Sequence, residues 1–257
     1  MCRHLAYLGP RRTLASLLHD PSHSLSRQSR HSHEQRWVTM NPDGWGVGWW
    51  DPEAGAAPAR YRTDRPMWAD RSFRSVADVV RSEAIVAAVR AATPGTPVVE
   101  TGSAPFVSGP WLFSLNGYVS EFPGPAADRL RRRLSPTRSA ALEGTTDSEV
   151  LFGLVLDALD AGASAVEAMA TVSNEVLADS TGELNLLLGD GRTVVATTAG
   201  NTLYSLAGTG LAEGGTLLSS EPLDDDPGWT RIPDLTVVEA TAAGYRTTSL
   251  AGAEGAA

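Results

Sequence analysis

The order of predicted secondary structure constrains the fold of this chain more than any other feature. Thr146 and Ser164 each precede a glutamate by three residues, which fits a helical capping box, and apolar residues follow at helical spacing. Because a doubly wound parallel sheet requires βαβ alternation, runs of strands around a run of helices favour an α+β fold with helices covering a pair of sheets. The strands are predicted at residues 3–8, 84–89 and 111–115 before the helices and at residues 183–188, 193–197, 216–220 and 235–240 after them.

Three further regions are predicted from local patterns. Apolar residues at helical spacing indicate another helix over residues 73–80. The Pro-Asp-Gly sequence at 42–44 indicates the turn of a hairpin, since these residue types favour turns. The two strands of that hairpin are predicted at residues 38–41 and 45–50, and polar or small-residue loops at residues 20–36 and 51–60.

Composition excludes several classes of function. The formal net charge of -9 argues against a nucleic-acid partner, because nucleic-acid binders carry a basic patch. The arginines at 129 and 131–133 form the nearest approach to one, and they fit the solvated face of a helix. The chain contains no lysine, so a lysine nucleophile is excluded, and its single cysteine allows neither an intrachain disulfide nor a multi-cysteine zinc site.

The sequence also predicts one domain in a reducing compartment. A lone cysteine fits such a compartment, and the N-terminal apolar stretch is too short for a signal peptide. No segment approaches the roughly 18 apolar residues of a membrane helix. We therefore expect a cytoplasmic protein without a membrane partner, folded as one domain over residues 1–250, with a disordered tail of small residues over 251–257.

Cys2 is the first candidate for chemistry. Cysteine is small enough to permit removal of Met1, which would give Cys2 a free α-amino group with a pKa of about 8 beside a thiol of about 8.5. Nucleophile and base would then belong to one residue. The alternative is that Cys2 is a small buried hydrophobe, the usual role of a free cysteine.

Three other sites offer groups that would bind and activate a substrate with an α-carboxylate and an α-ammonium. Arg90, at a predicted strand end, supplies a forked guanidinium for an α-carboxylate, and Asp147, at a helix start, supplies a carboxylate for an α-ammonium. Asn116 and Gly117 supply amide donors for an oxyanion. Each has a plainer alternative: a surface salt bridge for Arg90, helix-dipole complementarity for Asp147, and a simple Asn-Gly turn.

Four segments together carry a family resemblance. A Met-Cys-Arg-His start, Arg-Ala-Ala-Thr at 90–93, Phe-Ser-Leu-Asn-Gly at 113–117 and Thr-Asp-Ser-Glu at 146–149 occur in that order. The chain resembles the class II glutamine amidotransferase domains of the N-terminal-nucleophile hydrolases, from residue 1 to about residue 245. Additional segments, at residues 24–29, 41–49 and 219–229, resemble the members of that family that act in ergothioneine biosynthesis.

The resemblance implies a fold and a mechanism. The fold is a four-layer αββα sandwich of two antiparallel sheets between helix layers. Cys2 would be the nucleophile, with its own amine as the general base, and the intermediate would be a thioester. Asn116 and Gly117 would form the oxyanion hole. We expect no cofactor and no metal.

The same resemblance implies how the substrate is held. Arg90 would bind the α-carboxylate and Asp147 the α-ammonium. Thr93, the last residue of the Arg-Ala-Ala-Thr motif, would also contact the substrate. Many members have a histidine where this chain has Ala88, and a histidine can stand where it has Leu115. Neither position carries the core chemistry.

The expected substrate is a small γ-glutamyl molecule. The ergothioneine-pathway members imply γ-glutamyl hercynylcysteine sulfoxide, hydrolysed to glutamate and hercynylcysteine sulfoxide. Its trimethylammonium suits an aromatic face, and Trp45 is the first choice among the tryptophans at 37, 45, 49, 50 and 68, with core packing as the alternative. A homo-oligomer stays open.

Three other functions are weighed against this one. The chain could be a stand-alone glutaminase or amidotransferase subunit acting on glutamine or another γ-glutamyl compound. It could bind a metal through His31 and His33 or His19 and His23, although solvated side chains fit that loop better. It could also be a non-catalytic relative of the same fold. The chain retains all the motif residues, which argues against this alternative.

Overall fold

The computed structural model of the chain describes residues 2–32, 34, 40–51, 53, 55 and 57–252. Strands dominate this part of the chain. They are β1 Arg3–Thr13, β2 Trp45–Trp49, β3 Ala59–Thr63, β4 Arg81–Val89, β5 Phe106–Ser108, β6 Trp111–Val119, β7 Gly182–Gly189, β8 Val194–Thr198, β9 Tyr204–Ala207, β10 Thr216–Ser219, β11 Thr230–Arg231, β12 Thr236–Thr241 and β13 Gly244–Ser249.

Helices fall into an early group of short ones and a later group that contains the two long ones. They are α1 Ala15–Leu18, α2 Leu25–Gln28, α3 Phe73–Val79, α4 Pro125–Arg131, α5 Pro136–Ala140, α6 Asp147–Asp160 and α7 Ala165–Asp179. The two long helices begin at the predicted positions. Across the described residues, no helix combines the length and the apolar character needed to span a membrane.

The strands form two antiparallel sheets. One has seven strands in the order β11-β9-β10-β1-β4-β2-β3, and the other has six in the order β13-β12-β8-β7-β6-β5. An apolar cluster between the sheets draws side chains from both of them. A second cluster packs α6 and α7 against the outer face of the six-stranded sheet, and a third packs α1, α2 and α3 against the outer face of the seven-stranded sheet. The predicted αββα sandwich is therefore confirmed.

The central strand β1 shows why the strand segments are so apolar. Leu5 and Tyr7 pack into the outer, helix-covered cluster, whereas Ala6 and Leu8 pack into the cluster between the sheets. Successive strand residues point to opposite faces, so a strand covered on both sides needs apolar residues at nearly every position. The continuous apolar segments of the sequence reflect this double burial.

The predicted hairpin around residue 43 is wrong as far as the structure describes it. Residues 38 and 39 of its predicted first strand lie outside the described residues, and residues 40 and 41 do not belong to a strand. The second strand, β2, instead lies between β3 and β4 in the sheet. The sequence missed β3 because Arg60 and Arg62 interrupt it, and its half-buried residues belong to a sheet edge rather than to an apolar core.

The predicted loop over residues 20–36 contains a structured element. The single-turn helix α2 lies within it, and Leu25 and Gln28 on that helix are fully buried. Leu25 packs with the outer cluster beside β1. At the other end of the chain, residues 250–252 form a short turn, and residues 253–257 of the predicted tail lie outside the described residues.

Candidate active site

A cleft lies where the start of β1, the end of β4, the second half of β6 and the first turn of α6 meet. Cys2, Arg90, Thr93, Gly117 and Asp147 all line it. Including the part that opens to solvent, its empty volume is about 460 Å³, within the range of small-molecule sites. The sequence predicted these five residues from four separate motifs, and the fold brings them to one cavity.

Strand pairing places Cys2 beside Arg90. Arg3 pairs with Val89 in the antiparallel ladder of β1 and β4, so the residue before Arg3 lies next to the residue after Val89. The Cys2 Sγ atom lies 3.9 Å from the carbonyl oxygen of Ala91, and the residue is partly exposed. Cys2 is therefore within reach of a molecule in the cleft, which distinguishes it from the buried hydrophobe of the alternative interpretation.

Arg90 is buried and fixed by backbone carbonyl groups. Its Nη2 atom donates to the carbonyl oxygen of Pro97 at 3.1 Å and its Nη1 atom to that of Asp43 at 3.4 Å. Gly102 lies against the guanidinium, and a β-carbon there would come within 2.9 Å of Cζ. The residue is only 6% exposed, so the surface salt bridge of the alternative interpretation does not describe it. A buried guanidinium that is held, within the described residues, by backbone carbonyls alone can bind a carboxylate from outside.

Asp147 is buried at the first position of α6. Its Oδ2 atom accepts from the backbone N–H of Val119 at 3.0 Å, and Oδ1 accepts from that of Ser148 at 2.7 Å. Burial raises the pKa of this carboxyl, and the hydrogen bonds from Val119 and Ser148 oppose that rise. The result is an oriented carboxylate with a desolvation cost that a bound cation would relieve.

Only one of the two hydrogen bonds of the predicted capping box forms at the start of α6. Thr146 accepts from the backbone N–H of Glu149 at 3.3 Å, as a capping box requires. The Glu149 carboxylate instead accepts from the backbone N–H groups of Glu143 and Gly144. Glu149 therefore ties the preceding loop to the helix and fixes the approach of the chain to Asp147. By contrast, Ser164 and Glu167 form the full box at α7.

Asn116 and Gly117 lie inside a strand. The alternative interpretation, a simple Asn-Gly turn, is excluded because β6 continues to Val119. Gly117 has a φ of +154°, and a β-carbon at this position would overlap the carbonyl oxygen of Glu183 on the neighbouring strand. Only glycine fits this approach. Asn116 is fully buried, and its Nδ2 atom donates to Ser220 Oγ at 3.2 Å.

Thr93 lies in a tight turn at the wall that Arg90 also forms. Its carbonyl oxygen accepts from the backbone N–H and the hydroxyl of Thr96, at 3.0 Å and 2.6 Å. Ala88 and Leu115, at the positions where relatives can carry histidine, also line the cleft. The corresponding walls are apolar in this chain.

Trp45 lies in the core of the protein and does not line the cleft. It is 1% exposed and packs among the helix-covered residues outside the seven-stranded sheet. Its ring centroid is 4.7 Å from that of Phe73 and 5.3 Å from that of Tyr61. The predicted contact with a trimethylammonium is corrected accordingly: β2 turns this side chain toward the helices, and core packing explains it. Trp37 lies outside the described residues.

Sequence reasoning missed the buried polar residues behind Cys2. Arg3 is completely buried, with Nε 3.0 Å from Glu221 Oε1 and Nη1 2.7 Å from Asn41 Oδ1. Burial lowers the pKa of Arg3, and Glu221 opposes this. His4 is also fully buried, and desolvation lowers its pKa to about 3, so its ring is neutral at pH 7. Two charged or basic residues inside a strand that is otherwise apolar were the signal available in the sequence.

The metal hypothesis finds no support in the described part of the chain. No group of three or more His, Cys, Asp and Glu side chains there could hold an ion. His23 pairs with Asp225, Nε2 to Oδ1 at 3.0 Å. His33 lies outside the described residues.

Comparisons with known proteins identify the family of the chain. The family model for class II glutamine amidotransferases matches residues 17–209. The chain is 42% identical over 243 residues to a protein of Mycolicibacterium smegmatis named gamma-glutamyl-hercynylcysteine sulfoxide hydrolase, covering 93% of this chain and 95% of that one. It is 41% identical over 255 residues to the protein of that name from Mycobacterium tuberculosis, covering 99% of both.

Solved structures give the same fold. A class II glutamine amidotransferase domain protein from Silicibacter pomeroyi superposes with a TM-score of 0.67, at 24% identity, over 97% of this chain and 99% of that one. The family match covers well over half of the chain and the curated relatives match it along nearly its whole length. The chain therefore belongs to the class II glutamine amidotransferase family.

Proposed function

We propose that this protein hydrolyses the γ-glutamyl amide bond of γ-glutamyl hercynylcysteine sulfoxide in the cytoplasmic pathway to ergothioneine. One observation carries the chemistry: the cleft gathers a reachable thiol, a buried guanidinium and a buried carboxylate around one small volume. The choice of substrate rests on the two mycobacterial relatives and on their full-length similarity.

Cys2 is the proposed nucleophile. Its own α-amine, free after removal of Met1, accepts the thiol proton, and the sulfur attacks the γ-carbonyl carbon of the substrate. The resulting oxyanion receives hydrogen bonds from the Asn116 side chain and the Gly117 backbone N–H. When the intermediate collapses, the C–N bond breaks, the protonated α-amine gives its proton to the departing amine, and a thioester remains. Water then attacks the thioester, releasing glutamate and the free thiol.

Arg90 and Asp147 are the proposed anchors of the glutamyl group. The Arg90 guanidinium pairs with the α-carboxylate, and the Asp147 carboxylate pairs with the α-ammonium. Thr93 lines the cleft beside Arg90 and completes the pocket for the α-carboxylate. Since both anchors are buried and held by backbone groups, each charge is stronger in its effect than it would be in water.

A competing function uses glutamine as the substrate. The family is named for glutamine amidotransferases, and the proposed anchors contact only the glutamyl part that glutamine shares. A stand-alone glutaminase, or an amidotransferase subunit that delivers ammonia to a partner, would need the same residues. The two functions therefore differ in the leaving group alone.

Glutamate release distinguishes these functions. The purified protein is supplied with γ-glutamyl hercynylcysteine sulfoxide, the corresponding thioether and glutamine in parallel, with Cys2→Ala as the control. We expect kcat/KM to be highest for the sulfoxide and Cys2-dependent release throughout. Cys2-dependent release from glutamine alone would replace the ergothioneine role with glutaminase function. Release that does not depend on Cys2 would contradict its assignment as the nucleophile.

The anchor assignment has its own test. Arg90→Lys keeps the charge and loses the fork, so we expect kcat/KM to fall roughly 10- to 100-fold through a higher KM, the loss typical of a charged hydrogen bond. Arg62→Lys, at an arginine on β3 that pairs with Glu100 and Glu143, serves as the matched control. Equal KM values for the two variants would remove Arg90 from substrate binding.

A further inference from the structure

Two adjacent serines, Ser219 at the end of β10 and Ser220 immediately after it, face opposite sides of the sheet. Leu217 and Ser219 alternate with Leu218 and Ser220; Leu217 packs in the helix-covered cluster and Leu218 in the cluster between the sheets. By the same alternation Ser219 points outward and Ser220 points inward. Both serines are buried, at 0% and 1% exposed. They form a natural pair for comparison.

The Ser220 hydroxyl joins the strand of the nucleophile to the strand of the oxyanion hole. It accepts from the backbone N–H of His4 at 3.0 Å and donates to the His4 carbonyl oxygen at 3.2 Å. It also accepts from Asn116 Nδ2 at 3.2 Å. A hydroxyl has one donor and two acceptor positions, so these three bonds use its full capacity.

This bonding pattern determines which end of the Asn116 amide faces Ser220. Because the single hydroxyl proton is directed at His4, Ser220 can only accept from Asn116, and it therefore selects the NH₂ end of the amide over the oxygen. The terminal torsion of asparagine is intrinsically broad and nearly two-fold. An Asn116 side chain turned over would present its oxygen, not its N–H, to a developing oxyanion.

We propose that Ser220 is a positioning residue, which holds the Asn116 carboxamide in the donor orientation and fixes its position relative to Cys2. This inference rests on the proposed function, since it assigns Asn116 to the oxyanion hole. Ser220 makes these contacts two residues from the nucleophile, at His4. It acts on the stabilisation of the oxyanion and not on the glutamyl anchors, which lie on other elements.

The next residue secures the same strand from the other side. The Glu221 carboxylate pairs with the Arg3 guanidinium at 3.0 Å and accepts from Ser32 Oγ at 2.6 Å, and both members of the ion pair are at most 2% exposed. Consecutive residues thus hold Arg3 and His4 on opposite faces of the sheet. Because the start of β1 is held on both faces, Ser220 contacts Asn116 from a fixed position.

The test compares Ser220→Ala with Ser219→Ala. Ser219 is equally buried, and its Oγ atom has no hydrogen-bond partner in the described part of the chain. Both variants lose one buried hydroxyl, from adjacent residues of the chain. We expect Ser220→Ala to lower kcat by roughly 10- to 100-fold with little change in KM, part of the 10²- to 10³-fold effect of losing an oxyanion donor. Ser219→Ala should keep wild-type kcat.

Two further measurements separate positioning from damage to the fold. The first repeats both substitutions in an Asn116→Ala background, where Ser220→Ala should lower kcat no more than Ser219→Ala does. The second measures alkylation of Cys2 by iodoacetamide, a reaction that forms no oxyanion, and we expect its rate in Ser220→Ala to equal that of the wild type.

The outcomes distinguish this inference from the proposed function. An active, Cys2-dependent wild type in which Ser220→Ala matches Ser219→Ala would overturn the role of Ser220 alone. The same holds if the loss of kcat in Ser220→Ala persists undiminished in the Asn116→Ala background, or if Cys2 alkylation slows in proportion. A wild type that releases no glutamate from any γ-glutamyl amide would overturn both.

Discussion

The space between the two sheets has a polar end and an apolar end, built from the same strands. On β1 the inward-facing His4 is followed by Ala6 and Leu8, and on β6 Leu112 is followed by Ser114 and Asn116. The apolar end is a packed cluster. The polar end holds a network in which His4 Nδ1 lies 3.2 Å from Ser114 Oγ and Ser220 bridges His4 and Asn116.

The difference indicates a division of work within one sandwich. Burial of apolar groups stabilises the fold, whereas buried polar groups contribute little net stability even when they are hydrogen-bonded. A polar end deep between two sheets is therefore expected for chemistry rather than for stability. Changes at the polar end should alter catalysis, and changes at the apolar end should alter the free energy of unfolding.

The sharpest test of this division is Cys2→Ala, which changes the cleft residue two positions before His4 at the polar end. Loss of the nucleophile should lower kcat by about 10⁴-fold or more, because no other group can form the thioester. Cys2 is only partly buried, so the free energy of unfolding should change by less than about 1 kcal/mol. Glutamate release and urea denaturation measure the two quantities. A large fall in stability would show that the polar end also supports the fold.

The converse test at the apolar end is Leu112→Ala. This side chain is fully buried in the cluster between the sheets. Its truncation should lower the free energy of unfolding by about 2–5 kcal/mol, through lost burial and a residual cavity. While the variant remains folded, its kcat should stay within about two-fold of the wild type. A selective loss of kcat without loss of stability would contradict the division.

Asp147→Asn tests an anchor in the cleft. Removal of the charge should lower kcat/KM at neutral pH by roughly 10- to 100-fold through KM. In the wild type, protonation of Asp147 should weaken binding of the substrate ammonium as pH falls. Since burial raises the pKa of Asp147 above the ordinary 3.8, this acid loss should begin at a higher pH than for an exposed aspartate.

The pH profile of kcat/KM measures this effect, and the Asp147→Asn variant should lack that part of the acid limb. Stability should respond with the opposite sign. The folded state holds the Asp147 proton more tightly than the unfolded state, so this group lowers stability as pH rises from 3.8 through its folded pKa. An acid limb that survives unchanged in the variant would assign it to another group.

The smallest effect concerns His4 at the polar end. Its folded-state pKa of about 3 lies below the ordinary 6.5, so below pH 6.5 the unfolded chain takes up a proton that the folded chain does not. Stability from this group is complete above pH 6.5, and about 1.4 kcal/mol should be lost by pH 5.5. Urea denaturation of His4→Asn at pH 7.5 and pH 5.5 should show a smaller acid loss than the wild type by that amount. An equal acid loss in both would show that His4 does not contribute.

Much of the secondary structure could be predicted from local sequence. The starts of α6 and α7 were predictable because N-cap side chains bond to backbone groups three residues away. The central strands were predictable because burial on both faces leaves continuous apolar segments. The family motifs located Cys2, Arg90 and Asp147, and the pairing of β1 with β4 explains why two of them meet.

The edge strands, and the face of a sheet to which a side chain points, could not be predicted from local sequence. β3 carries arginines that a half-exposed edge accepts, so its pattern resembles a loop. Trp45 and a cleft residue look alike in sequence, because an aromatic side chain suits both a core and a cation site. Only the face to which β2 turns it decided between them.

The sequence by itself determined the helix starts, the buried strands and the reactive residue types, since these depend on neighbours within a few positions. The tertiary structure alone decided which polar groups meet between the sheets. Ser220 and His4 are 216 positions apart, and Ser220 and Asn116 are 104 apart. Contacts at such separation depend on the packing of two sheets, which no local pattern encodes.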